Sequence, residues 1–210
     1  MKFLKKIKRK KLVESFKKYY LYFMMYAVFG WVYEVFLEVV VYRWGFTNRG
    51  VLFGPYCPVY GVGALAFIFT IGRILKNQQK TRDKILLIPF VFFGCMFIAT
   101  AIELVTSYLC EWVMGYWPWQ TYVDYKYNFQ GRIALSPSLR FGLGGVLFLY
   151  ILQPIFEKFV GKLKKKQLNN VFYVVFSIFI LDIIREIITL IIWLMFSFCQ
   201  ITFSIFLRNK

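Results

Sequence analysis

The chain contains no histidine, and its four cysteines, Cys57, Cys95, Cys110 and Cys199, show no CxxC spacing. Without histidine there is no His-based triad, no His proton shuttle and no His-ligated metal. The cysteine spacing argues against structural zinc and a thioredoxin-like redox pair. In or near apolar runs such thiols act as small apolar residues. No GxxxxGK[ST] occurs, so the chain does not cradle and hydrolyse ATP by a P-loop. Any ATP-driven work needs a separate subunit. Negative charge is scarce as well: ten Asp and Glu stand against 27 Lys and Arg, for a net charge of +17. No metal and no cofactor is expected from these residues.

Apolar side chains are abundant, at 60% hydrophobic and 22% aromatic residues. A soluble domain cannot hide that much apolar surface, whereas a bilayer absorbs it. The basic residues are clustered: nine lie in 1–18, five in 73–84 and five in 158–166. Basic clusters that alternate with apolar runs are topology signals, so nucleic acid is not the expected partner. The runs predict an all-α polytopic bundle with spans at about 19–42, 51–72, 85–111, 139–156 and 171–196. The first is long enough, at ~36 Å, to cross a ~30 Å core. Positive charge on alternate connections places the N-terminus in the cytoplasm. Residues 19–210 read as one membrane domain, preceded by a basic segment at 1–18 that suits anionic headgroups. Residues 171–207 are too long for one crossing and too short for two, so 197–207 reads as interfacial or bent.

Carboxylates supply the chemistry. Glu34, Glu38, Glu103, Asp182 and Glu186 fall inside predicted spans, with Arg185 as the accompanying cation. A charge near the bilayer centre costs about 2.5–3.5 kcal/mol or more, so each should face protein or water. Gly30, Glu34 and Glu38 share one helical stripe, Glu103, Thr106, Ser107 and Cys110 a second, and Asp182, Arg185, Glu186 and Thr189 a third. Glu34, Glu38 and Glu103 lie in the external halves of their spans, and Asp182 lies near the middle of the fifth, with Glu186 a turn further out. The segment 48–64, NRGVLFGPYCPVYGVGA, opens the second span on that same side. Its Gly54, Pro55, Pro58, Gly61 and Gly63 break a helix, and breakers in hydrocarbon belong where protein or trapped water satisfies the backbone. Interrupted segments of this kind build binding sites in transporters, and glycine-rich faces also simply pack helices.

Two further patterns organise the chain. Gly50, Leu52, Pro55, Tyr60, Gly61, Gly63 and Ala64 are echoed by Gly131, Leu135, Pro137, Phe141, Gly142, Gly144 and Gly145. This predicts two parallel helical hairpins, 19–72 and 85–157, plus a fifth helix. The external loop 112–138 is rich in Trp and Tyr, which suits an interfacial belt. Asp124 and Asn128 within it are candidates for specific bonds, and the loop is placed to cap a pocket.

GWVYE at 30–34, the 48–64 segment, TSYLCE at 106–111, DYKYNFQGRIAL at 124–135 and SLRFG at 138–142 come in a distinctive order. Together, over about residues 22–157, they resemble the ABC-transporter type IV (CmpB-like) family of small bacterial membrane proteins. Where that family reads Trp-Trp-Asp-Tyr-Ser, this chain has Tyr122-Val123-Asp124-Tyr125-Lys126. The resemblance implies a permease and a bacterial cytoplasmic membrane.

The leading functional reading is a transport component with an outward-facing polar pocket and no ATPase of its own. Glu34, Glu38, Glu103 and Asp182 would bind a cation or protonate. Asn48, Arg49, Arg132 and Arg140 would orient a polar or anionic group at the mouth. A separate ATPase subunit, and a homodimer or membrane partner, are the expected associates. Two other readings stay open: an embedded enzyme using Glu34 and Glu103 as acid and base on an envelope substrate, and a scaffold or sensor. A competing structural reading has Arg49, Arg132, Arg140 and Arg185 neutralising four of the five carboxylates.

Overall fold

The computed structural model describes the backbone of every residue except Met1, Arg49, Val51, Asn209 and Lys210, and the side chains of 8–48, 50 and 52–192. Its helices are α1 (Lys2–Phe36), α2 (Pro58–Phe67), α3 (Arg73–Asn77), α4 (Thr81–Leu86), α5 (Ile88–Met114), α6 (Leu135–Leu147), α7 (Gln153–Gly161) and α8 (Lys165–Arg208). Two residue pairs, β1 (Asn128–Phe129) and β2 (Ile133–Ala134), form a short antiparallel ribbon. Among the described residues, four helical stretches are long and apolar enough to cross a membrane: Lys8–Val41, Pro58–Asn77, Ile88–Met114 and Leu135–Gly161. The protein is an all-α membrane bundle. The expected fifth span falls within α8.

α1 runs unbroken from the basic N-terminal stretch because nothing before Phe36 interrupts it except Gly30. It ends in a π-turn, Leu37–Val41, closed by Tyr42 N–H donating to the Leu37 carbonyl at 2.8 Å. The next helix starts at Pro58, seven residues later than the apolar run at 51. Proline supplies the first helical position and cannot accept a helix wound in front of it. It also pushes Cys57 into extended geometry, at φ −110 and ψ 100. Cys57 N–H donates to the Ala27 carbonyl at 2.9 Å, so the non-helical segment descends along α1 to the level of Ala27.

The repeat predicted from the sequence has matching contacts. A Cβ on Gly61 would lie 2.5 Å from the Phe23 ring and 2.6 Å from its carbonyl oxygen. A Cβ on Gly142 would meet the Phe92 ring and carbonyl, both at 2.9 Å. Eleven residues beyond each phenylalanine stands a glutamate, Glu34 and Glu103. Eleven residues before each glycine stands another with positive φ, Gly50 at +115 and Gly131 at +65. Both inward helices also pass through a π-segment, Ile68–Gly72 and Phe148–Leu152. Hairpins α1–α2 and α5–α6 are therefore built alike. In lipid, helices associate through such close approaches rather than through loss of water, and small residues permit them.

The hairpins join through rings and small side chains. Phe148 packs on Tyr26 and Phe67, with centroids 4.4 and 5.7 Å apart. Val91 and Cys95 are fully buried, and Gly145 lies directly on Cys95. The Tyr26 hydroxyl donates to Gln153 at 2.8 Å. α8 packs on α1 through Tyr20 and Phe23 against Phe172, Phe176 and Phe179. Buried Lys17 donates to Asn169 at 2.8 Å at the basic end of that seam.

Candidate functional site

The carboxylates are held by hydroxyl groups. Tyr60, on the first turn of α2, donates to Glu34, and Tyr122 donates to Glu103 at 2.9 Å. Thr47 gives Glu38 its hydroxyl at 2.5 Å and its N–H at 3.4 Å. Tyr56 donates to Asp182, which also accepts the Gly54 N–H at 2.9 Å. Among the described residues none of Glu34, Glu103 and Asp182 makes an ion pair. A phenol bond steadies a carboxylate without cancelling its charge, so such a group remains open to a proton or a cation.

Tyr60 reaches Glu34 because Gly30 leaves room for its ring; a Cβ there would stand 2.2 Å from Tyr60 Cγ. Glu103 has one half of its carboxylate satisfied by Tyr122, while Oε2 is buried with no partner among the described residues. Tyr122 belongs to the loop, and its phenol pKa is raised first by burial, then by the charge and bond of Glu103, with Glu34 adding to it. It therefore stays protonated and donates. The two hairpins thus each give their glutamate one phenol partner, Tyr60 for Glu34 and Tyr122 for Glu103. Arg140 is exposed on α6 and bonded to Ser136 at 3.3 Å.

The loop that carries Tyr122 is fixed by Arg132. Its guanidinium is buried between the rings of Tyr108 and Trp117, at 4.1 and 4.3 Å, and pairs with Glu111. Ser107 accepts a further bond at 3.5 Å. Trp117 and Trp119 donate to the carbonyls of Gly131 and Arg132 at 3.1 and 2.8 Å. These two indoles serve the loop, whereas Trp112 is 84% exposed, as an interfacial ring would be. Asn128 closes the turn, donating to Tyr125 O at 2.7 Å and accepting from Gly131 N–H at 2.9 Å. Asn48 does the equivalent work in the first hairpin, donating to Phe53 O at 3.0 Å and accepting from Trp31 at 2.7 Å.

The family match rests on this same stretch of chain. The model of the family described as Putative ABC-transporter type IV matches residues 21–187. The chain belongs to that family. Within the type IV family match lie both hairpins, the loop and Asp182, a longer reach than the 22–157 over which the motifs resemble it. No curated protein and no solved structure is significantly similar to the chain.

The expected site residues thus separate into groups. Glu34 is bonded by Tyr60 and Glu103 by Tyr122, and Arg140 is exposed on α6. Glu38 is buried against Thr47 in the π-turn that follows α1. Asp182 is drawn to the non-helical segment. Arg132, Asn48 and Asn128 hold loops, and Asp124 ends an exposed 3-10 turn, Gln120–Asp124. Arg49 lies outside the described residues. Gly54 and Pro55 are in the non-helical segment, Pro58 starts α2, Gly61 packs on Phe23, and Gly63 meets nothing within 4 Å. The ion pairs reached by Arg132 and Arg185 go to Glu111 and to the adjacent Glu186. Neither arginine neutralises Glu34 or Glu103.

Tyr56, Tyr60, Thr47 and Glu111 are the partners that the sequence reading missed. Each comes from a different element than the carboxylate or cation it meets, or lies across a turn from it. Helical stripes show which residues share a face, and carry no record of what faces them. A groove of about 440 Å³ lies elsewhere, between α1, α7 and α8, lined by Met25, Phe29, Val32, Phe159 and their apolar neighbours. It contains none of the carboxylates. Among the described residues no group of three or more His, Cys, Asp or Glu side chains is placed to hold a metal ion.

Proposed function

We propose that this chain is the membrane transport component of an ABC-type system in the bacterial cytoplasmic membrane, with its ATPase on a separate subunit. Five crossings, the basic N-terminus inside, put the tyrosine-covered glutamates in the external half of the bundle. Glu34 and Glu103 form the substrate site, and Tyr60 and Tyr122 close it. Rotation of either phenol would open a carboxylate toward the outside. The site suits a monovalent cation, a proton or the ammonium group of a small polar solute, with Arg140 at the mouth to turn an anionic end. Arg132 and Asn128 keep the covering loop in place. The two-hairpin plan supports this reading, because parallel repeats that meet at a polar site are a transporter design. The observation that carries it is that two repeat-related glutamates are each bonded by a tyrosine hydroxyl and, among the described residues, by no arginine.

Uptake of a panel of labelled inorganic cations and small polar solutes tests the proposal in cells that express the chain with its ATPase. A solute whose uptake depends on the chain should lose that uptake in both Glu34→Gln and Glu103→Gln, at unchanged membrane levels of protein. Full uptake in both variants would remove the site.

A further inference from the structure

Asp182 has a hydroxyl partner of its own, Tyr56, and its surroundings show a different role. α8 meets the hairpins mainly along α1, between two polar contacts. At one end Lys17 donates to Asn169 at 2.8 Å and to Tyr173 at 3.3 Å. At the other, Asp182 accepts the Gly54 N–H at 2.9 Å and the Tyr56 hydroxyl. Arg185, one turn on, covers the Phe53 ring at 4.1 Å.

The two hairpins differ in how these residues are wound. Residues 54–57 and 135–138 stand at the same chain distance from their packing glycines, Gly61 and Gly142. In the second hairpin those residues are the first turn of α6, and in the first they are not helical. Pro58 is the cause: it has no N–H, and its ring blocks the carbonyl four residues before it. The Gly54 N–H, with no helix wound in front of it, has no helical acceptor. Unmet backbone groups are costly in a bilayer. Asp182 meets this one, and Tyr56 and Cys57 are left 4% and 5% exposed.

We propose that Asp182 is a clasp by which α8 holds the non-helical segment Leu52–Cys57 against α1, and that the segment swings away when the clasp is released. Tyr60 follows on the same stretch and bonds Glu34, so release would also uncover Glu34. That coupling rests on the transport reading. The clasp itself does not, and its test reads only the segment.

Cys57 is a native reporter. In full-length protein reconstituted in liposomes, with Cys95, Cys110 and Cys199 changed to Ala, the rate of reaction with N-ethylmaleimide measures how often the segment opens. Asp182→Asn should raise that rate by about tenfold or more, the size expected for losing a buried charge-assisted bond. Tyr56→Phe should raise it by less, and Glu34→Gln should leave it unchanged. Equal rates in the parent, Asp182→Asn and Tyr56→Phe would overturn the clasp, as would the same acceleration in Glu34→Gln. If Asp182→Asn does not enter the membrane, Tyr56→Phe decides alone, and an unchanged rate there overturns it.

Discussion

Gly61→Ala places a methyl where no space exists. The new Cβ would stand 2.6 Å from the Phe23 carbonyl oxygen and 2.5 Å from its ring, so the α1 backbone must retreat. Ordinary contact needs a separation on the order of 1 Å greater, and backbone cannot rotate out of the way as a side chain can. Overpacking of this kind costs about 1–3 kcal/mol, against a helix-propensity gain of up to about 1 kcal/mol. Gly63→Ala gains the same propensity and meets nothing within 4 Å. The second hairpin supplies an internal replicate: Gly142 would meet Phe92 at 2.9 Å, and Gly144 meets nothing within 4 Å. Melting in detergent, followed with a thiol-reactive dye that reads exposure of Cys57 and Cys95, gives the comparison. Gly61→Ala should melt lowest, by roughly 2–10 °C, with Gly142→Ala less affected. Gly63→Ala and Gly144→Ala should melt no lower than the parent. If Gly61→Ala melts with Gly63→Ala, the close-packed seam and the repeat built on it are wrong.

The loop gives two more tests. Arg132→Lys keeps the charge and loses the planar contact with Tyr108 and Trp117, so trypsin should cut faster at Lys126 while the bundle melts normally. Protection equal to the parent would mean that the guanidinium does not anchor the loop. Gly131→Ala should loosen the same loop, because φ is +65 there and the Cβ would lie 2.4 Å from Val123 Cγ2. A rate of cleavage no higher than the parent's would refute that reading.

The bundle was legible because its signals are one-dimensional. Apolar runs and alternating basic clusters mark helices, and the pairs Gly50 with Gly131 and Gly61 with Gly142 mark the repeat. The start of α2 was displaced because the apolar run includes Leu52 and Phe53, whereas Pro58 decides where winding begins. Glu34 and Glu103 were visible as charges in apolar helices. From the sequence they share one pocket with Glu38 and Asp182, whereas in the structure each carboxylate has its own hydroxyl partner. Tyr60, Tyr122 and Tyr56 come from three different segments, and a tyrosine in an aromatic-rich chain gives no sign of where its hydroxyl points. Arg132 read as a mouth residue for the same reason, since its partner Glu111 is 21 residues away across the loop.

The central claim is that Glu34 and Glu103, equivalent in two parallel hairpins, share one site on the external side. Glu34→Cys and Glu103→Cys, each made in a background without other cysteines, test it with a charged, membrane-impermeant methanethiosulfonate reagent. Both should react with reagent added outside intact cells, and both should slow when the loop is held shut by a ligand of the site. Reaction of one from outside and the other only from the cytoplasmic face would contradict the shared site and the parallel repeat together.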